Sequence, residues 1–307
     1  MNIQNDTPAR ALRRRLTEDM TARNLGPHSQ RNYLNSCARL AAFLGRSPDT
    51  ATADDIRRFQ FFLIETGVSI VGRNRIMTGV KFLLRVTLRQ HDLATEIYHL
   101  KEPQKVPLVM SRDEIKRLLA MAASIKVRVM LSLAYGCGLR TGEVVRLRVG
   151  DIDSAQNIIR VVQSKGRKDR NVMLPADVLG LLRDWWRERP TRHDAGVAKE
   201  RRWLFPGYKP GRPLTTRQFI RLFHATATAA GIRKPVTPHS LRHSFATHLL
   251  ERGIDIRVIQ TLLGHDKLET TARYTRVATG MIAAVDSPLD DLGLRRRKPG
   301  KTGGGTP

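Results

Sequence analysis

The chain has 307 residues, with 54 Lys and Arg against 28 Asp and Glu and a net charge of +26 at pH 7. That length exceeds one typical core and predicts two domains, each burying its own apolar surface without covalent staples. Its two cysteines, Cys37 and Cys137, exclude a disulfide framework and a four-thiolate metal site, and they point to a reducing compartment.

The opening MNIQNDTPARALRRR contains no apolar core of a signal peptide, and no run of about eighteen apolar residues occurs. The expectation is a cytoplasmic, nucleoid-associated protein. The positive charge is spread along the chain: residues 1–100 hold 15 basic and 9 acidic side chains, leaving +20 to the rest, in runs such as GRKDR, WWRERPTRH, KERR and RRRK. Such a field favours a polyanion, with nucleic acid the leading partner. The end of the chain, 293–307, has the composition of a basic, disordered tail.

Residues 1–100 read as helices without strands. Helices are predicted over 8–24 and 29–44, the second with Tyr33, Cys37, Leu40 and Leu44 at helical spacing. A third starts at Thr52, with Asp54 and Asp55 in its first turn. The fourth, 69–90, has an apolar side of Val80, Leu83, Leu84 and Val86, while Arg73, Arg75, Lys81, Arg85 and Arg89 form a basic side suited to a phosphate backbone. The run KEPQKVPL at 101–108 then breaks the pattern with two prolines and reads as a linker.

The second domain, 109–292, is mixed. Ser111 and Glu114 form a capping box ahead of an apolar run. Helices are predicted at 111–123, 125–136 and 140–148. Two β-branched runs, IIRVVQ at 158–163 and NVMLP at 171–175, flank a Gly-containing turn and read as a hairpin. Helices follow at 176–188, 215–230, 238–252, 255–263 and 267–277, then an apolar segment at 281–292. Residues 190–214 read as an irregular loop anchored by WLF at 203–205. The fold class is therefore mainly α with a small β-hairpin or sheet, an α+β chain.

Chemistry-bearing residues concentrate late. Thr237 is a good N-cap and Pro238 occupies the first helical position. His239 and Arg242 share a face of that helix, while Leu241 and Phe245 turn towards the core. His239 and His243 stand four apart, a spacing that could hold zinc, but the metalloprotease pattern needs Glu after the first histidine and Ser240 is there. His243 and His248 read as packing or capping histidines.

HSLRH follows, in fixed order, GCGLRTGE at 136–143 and SKGRKDR at 164–170, and precedes LGH at 263–265 and Tyr274. This combination resembles the tyrosine recombinases, or phage integrase family, including its Xer members and the integrases of mobile elements. The resemblance covers most of the chain and is most specific over 136–274. It implies an all-helical, SAM-like core-binding domain and a catalytic domain closing as a C-shaped clamp on double-stranded DNA. It matches Arg140 to the first phosphate-binding arginine, Lys165 to the lysine of the β-hairpin, His239 and Arg242 to the HxxR pair, His265 to the later histidine and Tyr274 to the nucleophile. Glu143 matches an acidic position that supports Arg140. Ser164 stands where glycine often precedes the hairpin lysine, and Asp266 and Lys267 replace small polar residues.

The residue types suit the chemistry. A tyrosine with a pKa near ~10 is about 0.1% ionised at pH 7, so Tyr274 needs a proton acceptor, for which His239 is the best candidate. The planar forks of Arg140 and Arg242 can bind the non-bridging oxygens of a pentavalent phosphorus, with His265 as a further donor. Lys165 can protonate the leaving 5′ oxygen. No cofactor, metal or ATP is needed, because a phosphotyrosyl ester replaces a phosphodiester. The resemblance implies a Holliday junction within a tetramer on DNA, with room for accessory proteins and for exchange of the 281–292 segment between protomers. Length, spacing and the compact N-terminal region favour a recombinase over a type IB topoisomerase. The complete set of six argues against a non-catalytic DNA-binding regulator.

Overall fold

The computed structural model describes residues 8–102, 107–162, 169–192 and 194–264. Lys165, His265 and Tyr274 lie outside the described residues, as do the helix expected at 267–277, the segment 281–292 and the tail. By its contacts the chain divides into two compact units, Met1–Gln104 and Lys105–Pro307.

The first unit contains α1 (Pro8–Ala22), α2 (Pro27–Leu44), α3 (Ala53–Glu65), α4 (Ile70–Phe82) and the short α5 (His91–Thr95). Each boundary has a local cause. Asn24 adopts a left-handed backbone, φ 56°, just after α1, and Gly45 does so after α2. Thr52 caps α3 reciprocally: its Oγ1 accepts the Asp55 N–H at 3.2 Å while Asp55 accepts the Thr52 N–H at 3.0 Å. The fourth helix ends earlier than its apolar pattern implies. A π-helical turn covers Leu83–Thr87, with the Leu88 N–H donating to the Leu83 carbonyl, and Arg89 then takes a left-handed φ of 57°. Leu83 and Leu84 stay buried through the turn, so the hydrophobic period passes over it unmarked.

Leu40, Ile56, Phe59, Leu63, Val80 and Leu84 make the core of this unit, with a satellite cluster of Leu16, Met20, Cys37 and Leu83 beneath α1. Helices α2 and α4 approach closely at Gly79, where a Cβ would stand 2.7 Å from Ser36. Of the basic side foreseen on the fourth helix, Arg75, Arg85 and Arg89 are exposed, whereas Lys81 is half-buried and donates to the Ile97 carbonyl at 3.2 Å.

The second unit begins with α6 (Arg112–Ala120), capped by Ser111 and Glu114. Then come α7 (Ile125–Gly136), α8 (Thr141–Val145) and a three-stranded antiparallel sheet of β1 (Ile152–Asp153), β2 (Ile158–Val161) and β3 (Arg170–Met173), in the order β1-β2-β3. The register pairs Ile159 with Val172 and Val161 with Arg170. Ile159, Val161 and Val172 are buried and Arg160 is exposed, the alternation of a half-buried sheet. Helices α9 (Ala176–Glu188), α10 (Thr216–Ala229), α11 (Pro238–Leu250) and α12 (Ile256–Leu263) complete the described part.

The 190–214 region is more ordered than its sequence suggests. Leu204 N–H donates to Leu147 O at 2.9 Å and Val149 N–H to Arg202 O at 3.0 Å, bridging Arg148 to Trp203. Trp185 Nε1 donates to Leu204 O at 2.8 Å, and its ring stacks on buried Phe205. The Arg148 and Arg189 guanidiniums lie 4.4 and 3.9 Å from the ring centroids of Trp203 and Trp186. In α11, Leu241 and Phe245 are buried as the helical face requires, each contributing about 1.5–3 kcal/mol of apolar burial. Ser244 Oγ accepts the Met110 N–H at 2.9 Å and ties the entry of this unit to α11.

Candidate active site

The run GCGLRTGE folds as a tight turn followed by a capped helix. Gly138 reverses the chain with φ +62°, and a Cβ there would lie 2.6 Å from the Phe245 ring, so the position needs glycine both for its backbone and for space. Leu139 drops into the core. Arg140 then precedes α8 as its N-cap, and its own N–H donates to Glu143 Oε2 at 2.8 Å.

Glu143 is the hub of the site. It is 6% exposed, and both carboxylate oxygens accept from arginines. Oε2 accepts from the Arg140 N–H and from Arg170 Nη2 at 2.8 Å, while Oε1 accepts from Arg140 Nη1 at 2.8 Å and Arg170 Nη1 at 2.9 Å. Arg242 Nη1 stands 4.0 Å from Oε2. Burial alone would raise the pKa of this carboxyl, but the Arg170 hydrogen bonds and charge, with those of Arg140, outweigh it and hold the group well below the usual carboxylate range.

The three arginines also share the end of α12. Arg170 Nε donates to Leu262 O at 2.9 Å, Arg242 Nη2 donates to Leu263 O, and Arg140 Nη2 donates to Gly264 O at 3.1 Å. Three successive carbonyls at a helix C-terminus, which have no intrahelical partner and carry its negative pole, thus each accept from a different guanidinium. Gly264 closes the helix with φ +60°, and a Cβ on it would meet Arg170 Cδ at 2.8 Å. Arg242 Nη1 donates to Gly138 O at 2.6 Å, so the other left-handed glycine also presents its carbonyl to this cluster.

The α11 histidines differ. His239 is exposed, and its ring lies 4.4 Å from that of His243 in an edge-on arrangement. Partial desolvation of the ring, then the charges of Arg242 and Arg140, lower the His239 pKa below its ordinary value. Burial, with His239 and Arg242 beside it, brings His243 down to about 4. His248 is buried and its Nδ1 sits 3.0 Å from the Tyr135 hydroxyl, a packing role. Among the described residues no group of three His, Cys, Asp or Glu could hold a metal ion. Both cysteines are free and buried, their thiols pushed up to about 12 by desolvation. No described helix is long and apolar enough to cross a membrane.

Of the residues singled out in the sequence, Arg140, Glu143 and Arg242 come together, and His239 lies within reach of both arginine charges. Arg242 does not project outward: its side chain is 0% exposed, with donors turned to the Gly138 and Leu263 carbonyls. The residue that sequence reasoning passed over is Arg170, 8% exposed and bidentate on Glu143. Its one signal was its place as the last cation of SKGRKDR, where the returning strand begins.

Comparison with known proteins agrees over both units. The Phage integrase family matches residues 109–281, and the Phage integrase, N-terminal SAM-like domain matches residues 12–92. A putative integrase/recombinase, y4qK, of Sinorhizobium fredii is 39% identical over 283 residues, covering 92% of this chain and 89% of that protein. Tyrosine recombinase XerA of Pyrococcus furiosus is 36% identical over 242 residues, 78% of this chain and 80% of its own. A crystal structure of XerA recombinase aligns with TM-score 0.52 and 27% identity, over 94% of this chain and 100% of that one. The Tn1549 transposon integrase, solved with a circular intermediate DNA, shares the fold at TM-score 0.68 and 17% identity, over 89% and 99% of the two chains. The chain belongs to the phage integrase family and is a tyrosine recombinase, an enzyme of site-specific recombination.

Proposed function

We propose that this enzyme cuts and rejoins double-stranded DNA at a specific site through a 3′-phosphotyrosyl bond to Tyr274. The observation that carries the reading is the arginine cluster set on Glu143, which brings Arg140 and Arg242 together at the carbonyls of Gly264 and Leu263, immediately before His265 in the sequence. Relatives solved on DNA support the duplex as substrate. The Tyr274 oxygen attacks phosphorus and the bond to the 5′ oxygen breaks. His239 takes the tyrosine proton, and Lys165 protonates the leaving oxygen. Arg140, Arg242 and His265 bind the non-bridging oxygens as charge grows on them. In the arrangement described above the Arg242 fork faces protein carbonyls, so engaging a phosphate requires those contacts to be shared or exchanged. Attack by the 5′ hydroxyl of a partner strand reverses the chemistry without ATP and yields a Holliday junction, with four protomers acting in two rounds. The enzyme acts in the cytoplasm, on the nucleoid.

A nicked suicide duplex tests the assignment. The unaltered protein traps a covalent adduct through the 3′ phosphate of the cleaved strand, whereas Tyr274→Phe binds the same duplex and traps none. An adduct that survives the substitution refutes it.

A further inference from the structure

We infer that Arg170 is a positioning residue for recombination: it locks the end of α12, from which the chain runs on to His265 and Tyr274, to the carboxylate that sets Arg140. This rests on the phosphotyrosyl reading above and adds a residue outside the six that it uses.

Arg170 joins three segments that are distant in sequence. Its two terminal nitrogens take both oxygens of Glu143 in α8, its Nε takes the Leu262 carbonyl of α12, and its own backbone opens β3, paired with Val161. Glu143 in turn holds the backbone and side chain of Arg140. One planar fork therefore fixes the distance between Arg140 and the α12 terminus. It also fixes both relative to β3, which begins five residues after Lys165 in the sequence.

The guanidinium is nearly buried and faces a protein carboxylate and a protein carbonyl, the setting of a residue that acts through others. Gly264 completes the arrangement, since only a residue without Cβ leaves room for Arg170 Cδ. Lysine retains the charge here but not the geometry. A single ammonium on a flexible stem cannot span two carboxylate oxygens and a carbonyl in the fixed directions a guanidinium provides. A misplacement of about 1 Å among groups that meet one phosphate costs about a hundredfold in rate.

The test is Arg170→Lys in the full chain. Cleavage of the nicked suicide duplex is measured in single turnover at saturating DNA, with duplex affinity and the folded fraction at the assay temperature measured alongside. The expected result is affinity within about threefold and a cleavage rate per folded molecule about 30- to 100-fold lower. Amide hydrogen exchange over 256–264 should also quicken, a readout independent of catalysis. Should the lysine variant fail to fold, Gly264→Ala perturbs the same contact from the α12 side and leaves every charge in place. It too should lose rate more than affinity. Full cleavage by the folded variant beside a normal adduct in the unaltered protein overturns this inference alone, as does a rate loss that only follows the unfolded fraction. Absence of an adduct in the unaltered protein overturns the Tyr274 reading and this role with it.

Discussion

Glu143→Gln isolates the charge of the hub while keeping its shape. Among the described residues the carboxylate accepts hydrogen bonds on both oxygens from Arg140 and Arg170 and lies beside a third arginine that is wholly buried. The amide retains one acceptor oxygen, but its N–H₂ must face guanidinium donors, and Arg170 and Arg242 lose the charge of Glu143 in a site that water reaches poorly. Removing one partner of such a buried network costs about 3–5 kcal/mol, because the remaining buried charges lose an opposite charge that offset their desolvation. With a urea dependence of ~2 kcal/mol per molar, the midpoint for the second unit should fall by about 1.5–2.5 M, followed by circular dichroism. Asp184→Asn serves as the control. It breaks an ion pair with Arg187 in which the side chains are 52% and 74% exposed, and it should cost no more than about 1 kcal/mol. A Glu143→Gln loss as small as the control's would refute the claim that this carboxylate organises the cluster. Sign matters as well. A carboxyl whose folded pKa is depressed stabilises the fold above its ordinary value of 4.5 and yields that stability only as the pH falls below it. The gap between variant and parent should therefore be complete at pH 6 and narrow in acid.

Histidine 243 predicts a slope in a different window. Its folded pKa of about 4 lies below the ordinary 6.5, so the unfolded chain takes the proton first and stability is lost as the pH drops from 6.5 towards 4. The loss reaches roughly 3 kcal/mol, and urea midpoints at pH 7, 5.5 and 4.5 should fall less steeply in His243→Gln than in the parent. Two glycines should respond in opposite directions. Gly138→Ala strains a left-handed backbone and drives a methyl into Phe245, costing about 2–4 kcal/mol, whereas Gly180→Ala in α9 meets nothing within 4 Å and should gain about 0.5–1 kcal/mol. Thermal midpoints of the two variants check both.

The sequence was most legible where pattern and local chemistry coincide. Helix α9 runs from Ala176 to Glu188 as its spacing predicts, and the capping pairs Thr52–Asp55 and Ser111–Glu114 stand at the starts of α3 and α6. Two-residue β1 was not visible, because a strand that short has no period to detect. Nor was the π-turn at 83–87, whose buried leucines continue the apolar stripe. The candidate site was legible as residue types in order, and Arg140, Glu143 and Arg242 do converge. What the sequence could not convey is who holds whom. A helical face argument turns Arg242 outward, but burial becomes affordable once backbone carbonyls from Gly138 and Leu263 meet its fork. Arg170 in its basic hairpin looks like one solvated charge among several until the fold sets it on Glu143.

The aromatic anchoring of the second unit gives it an optical signature of its own. All three tryptophans, Trp185, Trp186 and Trp203, fall within nineteen residues of one another in that unit, the first stacked on Phe205 and the other two beneath guanidiniums. Indole emission therefore reports on the half of the molecule that carries the arginine cluster, while the first unit, with Tyr33 and Tyr98, is silent at wavelengths that excite only tryptophan. The two halves can thus be followed separately in one intact chain, with no label attached.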